Sequence, residues 1–530
     1  MNWKSIKKSD PIISGWMSGE IRQYIKSARW YGGKASRDKL FIADHLLPID
    51  YEGVRYYLLL IEIMYEEGFV HNYVLPLAIT KTEDVENSKG IIAPVPKSND
   101  VLVDATYIPH FREAIFYYIR NGQLLDVQIG YLQFEKGKAF LAEEGKITSR
   151  LLNAEQSNTT IVYNDIYFCK LYRRLFRDPN PDIEMVQHLS EKCGFDHVPA
   201  FASSITWKRK GIYDVSIAMM QRKVENEGDA WTWANGKLAD SFQNLIQKKT
   251  KGESIPPLKL FKARSFEGTP QIVKEAIGSE LLHGVKMIAI RTAEMHIHLS
   301  QEPYNRLFTR SSYNGDYAVW LKNRINYQFE ARYALLDKSL SKLKGLAKEY
   351  GKFFYDNKTE LKNRIYSFDE HDLTGQRIRI HGDYHLGQLL VSKGDFIILD
   401  FEGEPESTIH DRKVKQSPLK DVSGLFRSFH YAIYATIFNN KKLSVKQQTE
   451  LFEIGERMYS WMVSIFLNHY LKKAFDSTLN IGYDREIEYL LKYHLLEKAI
   501  YELGYELNAR PDWAIIPLRG IYTILQSSKK

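Results

Sequence analysis

Between Tyr51 and Thr80 the chain reads YEGVRYYLLLIEIMYEEGFVHNYVLPLAIT, apolar runs separated by polar turns. After a helical start, this predicts antiparallel strands and a small β-rich unit. Lys81 to Asp100 is polar and carries Pro94 and Pro96, which places a boundary in that stretch. The next segment, DATYIPHFREAIFYYIRNG, sets Ala114, Tyr117 and Tyr118 at helical spacing. From 149 to 224 the pattern reads strand, turn, strand, turn, strand, helix and further strands, with Asn164-Asp165 as a tight hairpin turn. Beyond the polar stretch VENEGDAWTWANG, helical periodicity dominates residues 235 to 375, as in YAVWLKNRINYQFEARYALLDKSLSKLKGLAKEY. The remainder is helical apart from one short hairpin at 386 to 401.

These elements make an α+β chain of three expected parts: an N-terminal unit over 1–90, an intermediate unit over 91–224 and a mainly helical unit over 225–530. No internal repeat or low-complexity segment appears, which gives a solenoid no support.

Composition narrows the partners. A chain of 530 residues at 44% hydrophobic content can bury a large core, and its net charge of +8 is mild and scattered among acids. Nucleic acid is therefore not an expected partner. No run approaches the roughly 20 apolar residues of a membrane helix, and the lysines of MNWKSIKKSDPIISG precede no apolar stretch. With two cysteines only, Cys169 and Cys193, at no metal or disulfide spacing, the expectation is a cytoplasmic protein without a membrane partner.

The candidate chemistry lies in HGDYHLGQLLVSKGDFIILDFEGEP, His381 to Pro405. A hairpin turning at Lys393-Gly394-Asp395 brings together Asp383, Gln388 and Asp400, the order in which kinases carry a catalytic aspartate, an amide and a metal-binding aspartate. Asp383 suits orientation of an attacking hydroxyl, Gln388 and Asp400 suit Mg2+, and Glu402 lies close enough in sequence to reach a second ion. An aspartate in a turn also commonly just caps backbone groups, but three oxygens at kinase spacing outweigh that reading. His381 is open to acid–base chemistry or to bracing the loop beside the substrate, and bracing is favoured.

Upstream, Lys170 shares a strand face with Ile166 and Phe168, and Glu184 lies in the first turn of a helix announced by Asn180-Pro181-Asp182. The two would form the kinase ion pair that steadies nucleotide phosphates, the alternatives being an edge lysine in solvent and a helix N-terminal charge. Gln156, Ser157 and Asn158 stand where a phosphate-covering loop would lie, without its usual glycines. Trp30-Tyr31-Gly32-Gly33-Lys34 lacks P-loop spacing and reads as a turn.

These residues, with ARWYGGK at 28–34, EQSNTT at 155–160, RTAEMHIHL at 291–299, SPLKDVSGLFRSFHYA at 417–432 and EKAIYELGYELNARPDWAIIPLRGI at 497–521, resemble the bacterial maltokinases, relatives of the aminoglycoside phosphotransferases. The resemblance implies a eukaryotic-protein-kinase-like bilobal fold, with an N-terminal β-rich cap subdomain, an intermediate subdomain bearing the nucleotide hinge, and a helical C-lobe for the sugar. It implies ATP and Mg2+ as cofactors and maltose as acceptor, phosphorylated at C1 to feed α-glucan and glycogen synthesis, with a possible association with trehalose synthase. It places the adenine hinge at Met220 to Val224, including Gln221 and Lys223, with Arg222 where relatives commonly have Glu.

Lys498, Tyr501, Glu502 and Tyr505 fall at i, i+3, i+4 and i+7, and the resemblance sets the sugar against that face with Arg510 and Trp513 closing it, while Leu503 and Leu507 face the core. An ordinary amphipathic helix has the same pattern. Glu294, His296, Arg412 and Arg427 read as packing or loop-bracing residues. Two rivals stand beside maltose: a same-fold kinase for glucosamine or an aminoglycoside, and a catalytically silent sugar- or nucleotide-binding regulator.

Overall fold

The computed structural model describes residues 3–34, 36–141, 147–152, 157–247, 255–302 and 305–526. They form an α+β protein of two compact units, Met1–Val224, rich in antiparallel sheet, and Glu225–Lys530, mainly helical.

In the first unit the short helices Pro11–Ser18 and Glu20–Ser27 bury Ile13, Trp16, Ile21 and Ile25 in a core shared with Tyr57, Leu59 and Ile61. Those last residues lie on a sheet in which Asp38–Tyr51, Val54–Tyr65 and Val70–Thr80 pair antiparallel in sequence order. The sheet does not end near residue 90. Strands Ile91–Pro94 and Val101–Asp104 join it, and Arg174–Leu175 pairs with Val70–Thr80. The boundary drawn at 90 is thus corrected: the prolines that suggested a linker flank a turn inside this sheet, closed by the Val95 N–H to Asp100 carbonyl bond at 2.9 Å.

The second sheet of this unit has, among the described residues, the spatial order Leu124–Asp126, Tyr131–Lys136, Phe201–Arg209, Ile212–Arg222, Tyr167–Leu171, Thr159–Tyr163 and Ser149–Leu151. Asn164 and Asp165 take φ of 50° and 55° at the turn joining two of these strands, a conformation those residue types tolerate best among non-glycines. The helix Pro109–Asn121 ends at Gly122 in the left-handed conformation, where a Cβ would be costly.

In the second unit the helix Leu419–Asn439 is buried on nearly every side and forms the centre of the core. The helices Ser279–His298, Val445–Phe475 and Asp484–Ala509 carry the other long buried faces, the second opening with a capping box of Ser444 and Gln447. The long helical pattern after Tyr317 breaks into Gly315–Ser339 and Gly345–Asp356, with Gly345 at φ 50°. The expected hairpin is present as Leu389–Ser392 and Asp395–Ile398, with Lys393 and Gly394 both at positive φ. No helix among the described residues is long and apolar enough to cross a membrane.

Candidate active site

The loop His381 to His385 is held by a residue that sequence spacing did not single out. Asp421, buried in the first turn of Leu419–Asn439, accepts the His381 N–H on Oδ2 at 2.8 Å and the Gly382 N–H on Oδ1 at 2.9 Å. Its Oδ2 also meets His296 Nε2 at 3.1 Å, and His296 Nδ1 meets the Tyr470 hydroxyl at 2.9 Å. Burial works against the Asp421 charge, but His296, His381 and the Gly382 N–H outweigh it and hold the carboxyl below its ordinary range. Gly382 stands at φ 86° and Gly424 packs so closely that a Cβ there would lie 2.7 Å from the Tyr384 carbonyl oxygen.

The helix Ser279–His298 braces the same loop and the hairpin after it. Thr292 Oγ1 meets the Tyr384 hydroxyl at 2.9 Å, and Arg291 grips Asp395 at the hairpin turn through Nε and a terminal nitrogen, the latter at 2.6 Å. Glu294 pairs with Arg291 at 2.7 Å and Lys473 at 3.0 Å, and the fully buried His296 is the Asp421 partner, so both have bracing roles. Arg412 binds the carbonyls of Glu402, Pro405 and Ser407 and fixes the tail of the motif.

His381 is 1% exposed, donates its Nε2–H to the Leu399 carbonyl at 2.8 Å, and packs its ring 4.8 Å from Phe401. Its placement among substrate-binding residues is corrected: the side chain lies beneath the loop and joins it to the hairpin.

Asp383 itself is partly exposed and meets Lys498 Nζ at 3.1 Å through Oδ1, while its Oδ2 lies 4.0 Å from His385 Nε2. Burial pushes the Asp383 carboxyl up, but the Lys498 ammonium and His385 more than reverse this and hold it below the usual range. Burial likewise pulls the Lys498 ammonium down, and Asp383 and Glu404 drive it well above its ordinary value. Lys498 is 4.0 Å from Glu404, which also binds Arg324. Glu497 closes the network with Arg324 at 3.3 Å, Lys420 at 2.8 Å and His494 at 2.9 Å. Buried acids and bases therefore alternate beside the Asp383 carboxylate.

The rest of the predicted sugar face divides. Lys498 lies 5.1 Å over the Tyr501 ring, next to Asp383, and Leu503 and Leu507 are buried as expected. Glu502 instead binds Arg427 Nε at 2.8 Å. Tyr505, 60% exposed, belongs to a separate cluster: Arg510 is 5.4 Å from its ring and 4.2 Å from that of Trp513, which stacks on Phe438. The Arg510 guanidinium is itself bound to Glu506 at 2.8 Å.

On the hairpin, Gln388 Nε2 lies 3.1 Å from Asp400 Oδ2, and Asp400 takes φ 63°, a turn that follows directly on the strand Asp395–Ile398. The Asp400 carboxylate and the Gln388 amide oxygen, both carried by a braced hairpin, are hard oxygen donors of the kind Mg2+ takes, so the donor set fits that ion. Glu402 is half-buried beside them in sequence.

In the first unit, Lys170 on the strand Tyr167–Leu171 meets Asp182 Oδ2 at 3.3 Å, and the Tyr172 hydroxyl meets the same oxygen at 3.3 Å. Asp182 lies two residues before Glu184 on the helix Pro181–Gln187, whose N-cap Asn180 accepts the Asp182 N–H. Ser157 is exposed and Asn158 buried, joined at 3.3 Å just before the strand Thr159–Tyr163. Gln156 lies outside the described residues. Gln221 sits opposite Phe168 within the sheet. The Arg222 and Lys223 N–H groups are bound to the Ala200 and Ile166 carbonyls at 2.9 and 2.7 Å, and Lys223 Nζ pairs with Asp165. A base contact through the Lys223 N–H is therefore corrected: that donor is already used to extend the sheet.

A β-rich unit with a strand lysine paired to a helical carboxylate, and a helical unit with a clamped aspartate loop and a metal-competent hairpin, define a protein of the kinase-like fold. No family model matches the chain. It is similar to glucosamine kinase of Streptacidiphilus jiangxiensis, 23% identical over 153 residues, which is 29% of this chain and 33% of that protein. It is also similar to glucosamine kinase of Mycolicibacterium smegmatis, 21% identical over 288 residues, 54% of this chain and 60% of that protein. The matched stretches thus cover less than two thirds of either relative. Among solved structures, glucosamine kinase in complex with glucosamine, ADP and inorganic phosphate shares the fold at a TM-score of 0.61 and 15% identity, over 95% of this chain and 98% of that one. A crystal form of glucosamine kinase gives 0.60 at 16% identity over the same shares.

Proposed function

We propose that this protein transfers the γ-phosphoryl group of ATP to a hydroxyl of a small sugar. The observation that carries the reading is the Asp383 carboxylate: ionised, partly exposed, held by Lys498 on one oxygen and mounted on a loop fixed by Asp421. With Oδ1 engaged by Lys498, Oδ2 is the oxygen that orients the acceptor hydroxyl for in-line attack on phosphorus as the bond to ADP breaks. Its depressed basicity suits a loose transition state in which the hydroxyl proton moves late, to Asp383. Gln388 and Asp400, with Glu402 beside them, would hold Mg2+, which supplies charge neutralisation at the phosphates. Lys170, steadied by Asp182 and carried near Glu184, would bind phosphate oxygens, with Ser157, Asn158 and the Gln221 segment contributing to nucleotide binding.

For the acceptor, the similarity to glucosamine kinases in sequence and over the whole fold supports an amino sugar. Maltose, giving maltose 1-phosphate, is the second reading, supported by the motif segments around Gln388 and by Lys498 and Tyr501 beside Asp383.

The test is turnover with Mg-ATP on glucosamine, maltose, glucose and kanamycin, following ADP release and locating the new phosphate by NMR. Sugar-dependent ADP release establishes the kinase, and the product position separates the acceptors. Sugar binding without ADP release on the whole panel would instead favour a silent binding protein.

A further inference from the structure

The helix Gly315–Ser339 contributes a polar stripe that none of the sequence motifs includes. Arg324, Gln328 and Arg332 follow one another at successive turns, on the face turned to Asp484–Ala509. Arg324 reaches Glu497 and Glu404, as described above. One turn on, Gln328 lines a cavity with Gly382, Glu404, Lys498 and Tyr501, immediately beside the Asp383 loop. Its Oε1 is shielded from solvent and has no hydrogen-bond partner. A further turn on, Arg332 lies across Gly504, where a Cβ would stand 2.1 Å from its Nε, and that Nε is also buried without a partner. Gly504 is thus the residue that lets a guanidinium cross the helix between Tyr501 and Tyr505.

Buried polar atoms are nearly always satisfied, and leaving one unpaired costs stability. Here an unpaired acceptor and an unpaired donor are set one helical turn apart, against the helix that carries Lys498 and Tyr501. Together they match the donor and acceptor capacity of sugar hydroxyls. We propose that Gln328 and Arg332 are acceptor-binding, specificity-determining residues, the first accepting from and the second donating to hydroxyls of the sugar other than the one phosphorylated. This rests on the sugar-kinase reading given above.

Gln328→Leu and Arg332→Met test it by initial rates on the sugar that the wild type turns over, with thermal melting alongside. The expected result is a KM for sugar raised about three- to tenfold in Gln328→Leu and about tenfold in Arg332→Met, with KM for ATP unchanged. The melting temperature of Gln328→Leu should equal or exceed that of the wild type, since an unpaired buried carbonyl has been removed. An unchanged sugar KM in both variants overturns the proposal. So does a lowered melting temperature of Gln328→Leu with unchanged KM, which would mean that the amide holds a structural water. If the wild type phosphorylates no sugar of the panel, the kinase reading has failed separately, and titration calorimetry with the same sugars decides: binding by the wild type that both variants lose upholds the two residues, and no binding by the wild type overturns them.

Discussion

Asp421→Asn is the sharpest perturbation of the catalytic loop, because it changes charge and donor pattern without changing volume. The aspartate accepts from two backbone N–H groups and meets His296 Nε2, at 2.8, 2.9 and 3.1 Å. An asparagine keeps one acceptor oxygen. If that oxygen faces Gly382, the new NH2 group points at the His381 N–H; if it faces His381, the NH2 group points at the Gly382 N–H. Either way one buried backbone donor is left unsatisfied, at about 1–3 kcal/mol, and the surviving bond loses its charge assistance, about 1 kcal/mol more. His296 can adapt by changing tautomer, so it adds little. The sum, about 2–4 kcal/mol, is a large share of a typical folding stability. Turnover should fall further than stability predicts, since a displacement of order 1 Å in the Asp383 loop costs roughly a hundredfold in rate. Urea denaturation followed by circular dichroism gives the first quantity, and saturating initial rates on folded protein give the second. Stability within about 0.5 kcal/mol of the wild type together with unchanged kcat would refute the clamp.

Other residues give further expectations. Asp383→Asn should abolish turnover, by about three orders of magnitude or more, while ATP affinity measured by calorimetry stays within a fewfold. Lys498→Met removes the cation that holds Asp383 ionised against burial, so the acid limb of the kcat–pH profile should move to higher pH; superimposable profiles would count against the pairing. Glu456 is disfavoured by burial but held at a pKa of about 2 by His430 and Arg519. Being depressed, it stabilises the fold above the ordinary value of about 4.3, and that stability is lost as pH falls towards 2. Glu456→Gln should therefore flatten the fall in unfolding free energy between those values, by about 2–3 kcal/mol in total, read from urea denaturation at each pH. Asp104→Ala strands Arg173, whose ion pair at 2.6 Å has side chains only 0–1% exposed, and should cost about 3–5 kcal/mol, read as a lowered urea midpoint.

Local chemistry was legible in the sequence wherever neighbouring residues decide it. Lys393-Gly394 and Asn164-Asp165 announced hairpin turns because few residue types tolerate positive φ, and Asn180-Pro181 announced a helix because one caps and the other fits the first turn. Gln388 and Asp400 meet because the short hairpin between them leaves little freedom. Where the partner comes from elsewhere in the chain, spacing says nothing. Asp421 is 40 residues from His381, and Lys498 is 115 from Asp383. Helical spacing grouped Lys498, Tyr501, Glu502 and Tyr505, but not what each would face: Glu502 found Arg427 and Tyr505 found Arg510. The proline-rich stretch before Asp100 misled because a turn within a sheet and a linker between units share the same composition.

The network around Asp383 explains why the loop motif alone underdetermines the chemistry. Asp383, Glu404 and Glu497 face Lys498, Arg324 and Lys420, which come from distant stretches of chain, and each acid also has a local partner: His385 for Asp383, Ser407 for Glu404 and His494 for Glu497. Each charge is buried enough that deleting its partner leaves an uncompensated ion, a larger penalty than the pair's own attraction. The ionisation state of Asp383 is consequently a property of the whole set, and Glu404 acts on it without touching it, by holding Lys498 from the far side at 4.0 Å. The second glutamate of DFEGEP thus belongs to the Lys498–Arg324 network around Asp383, although the motif sets it only four residues after Asp400.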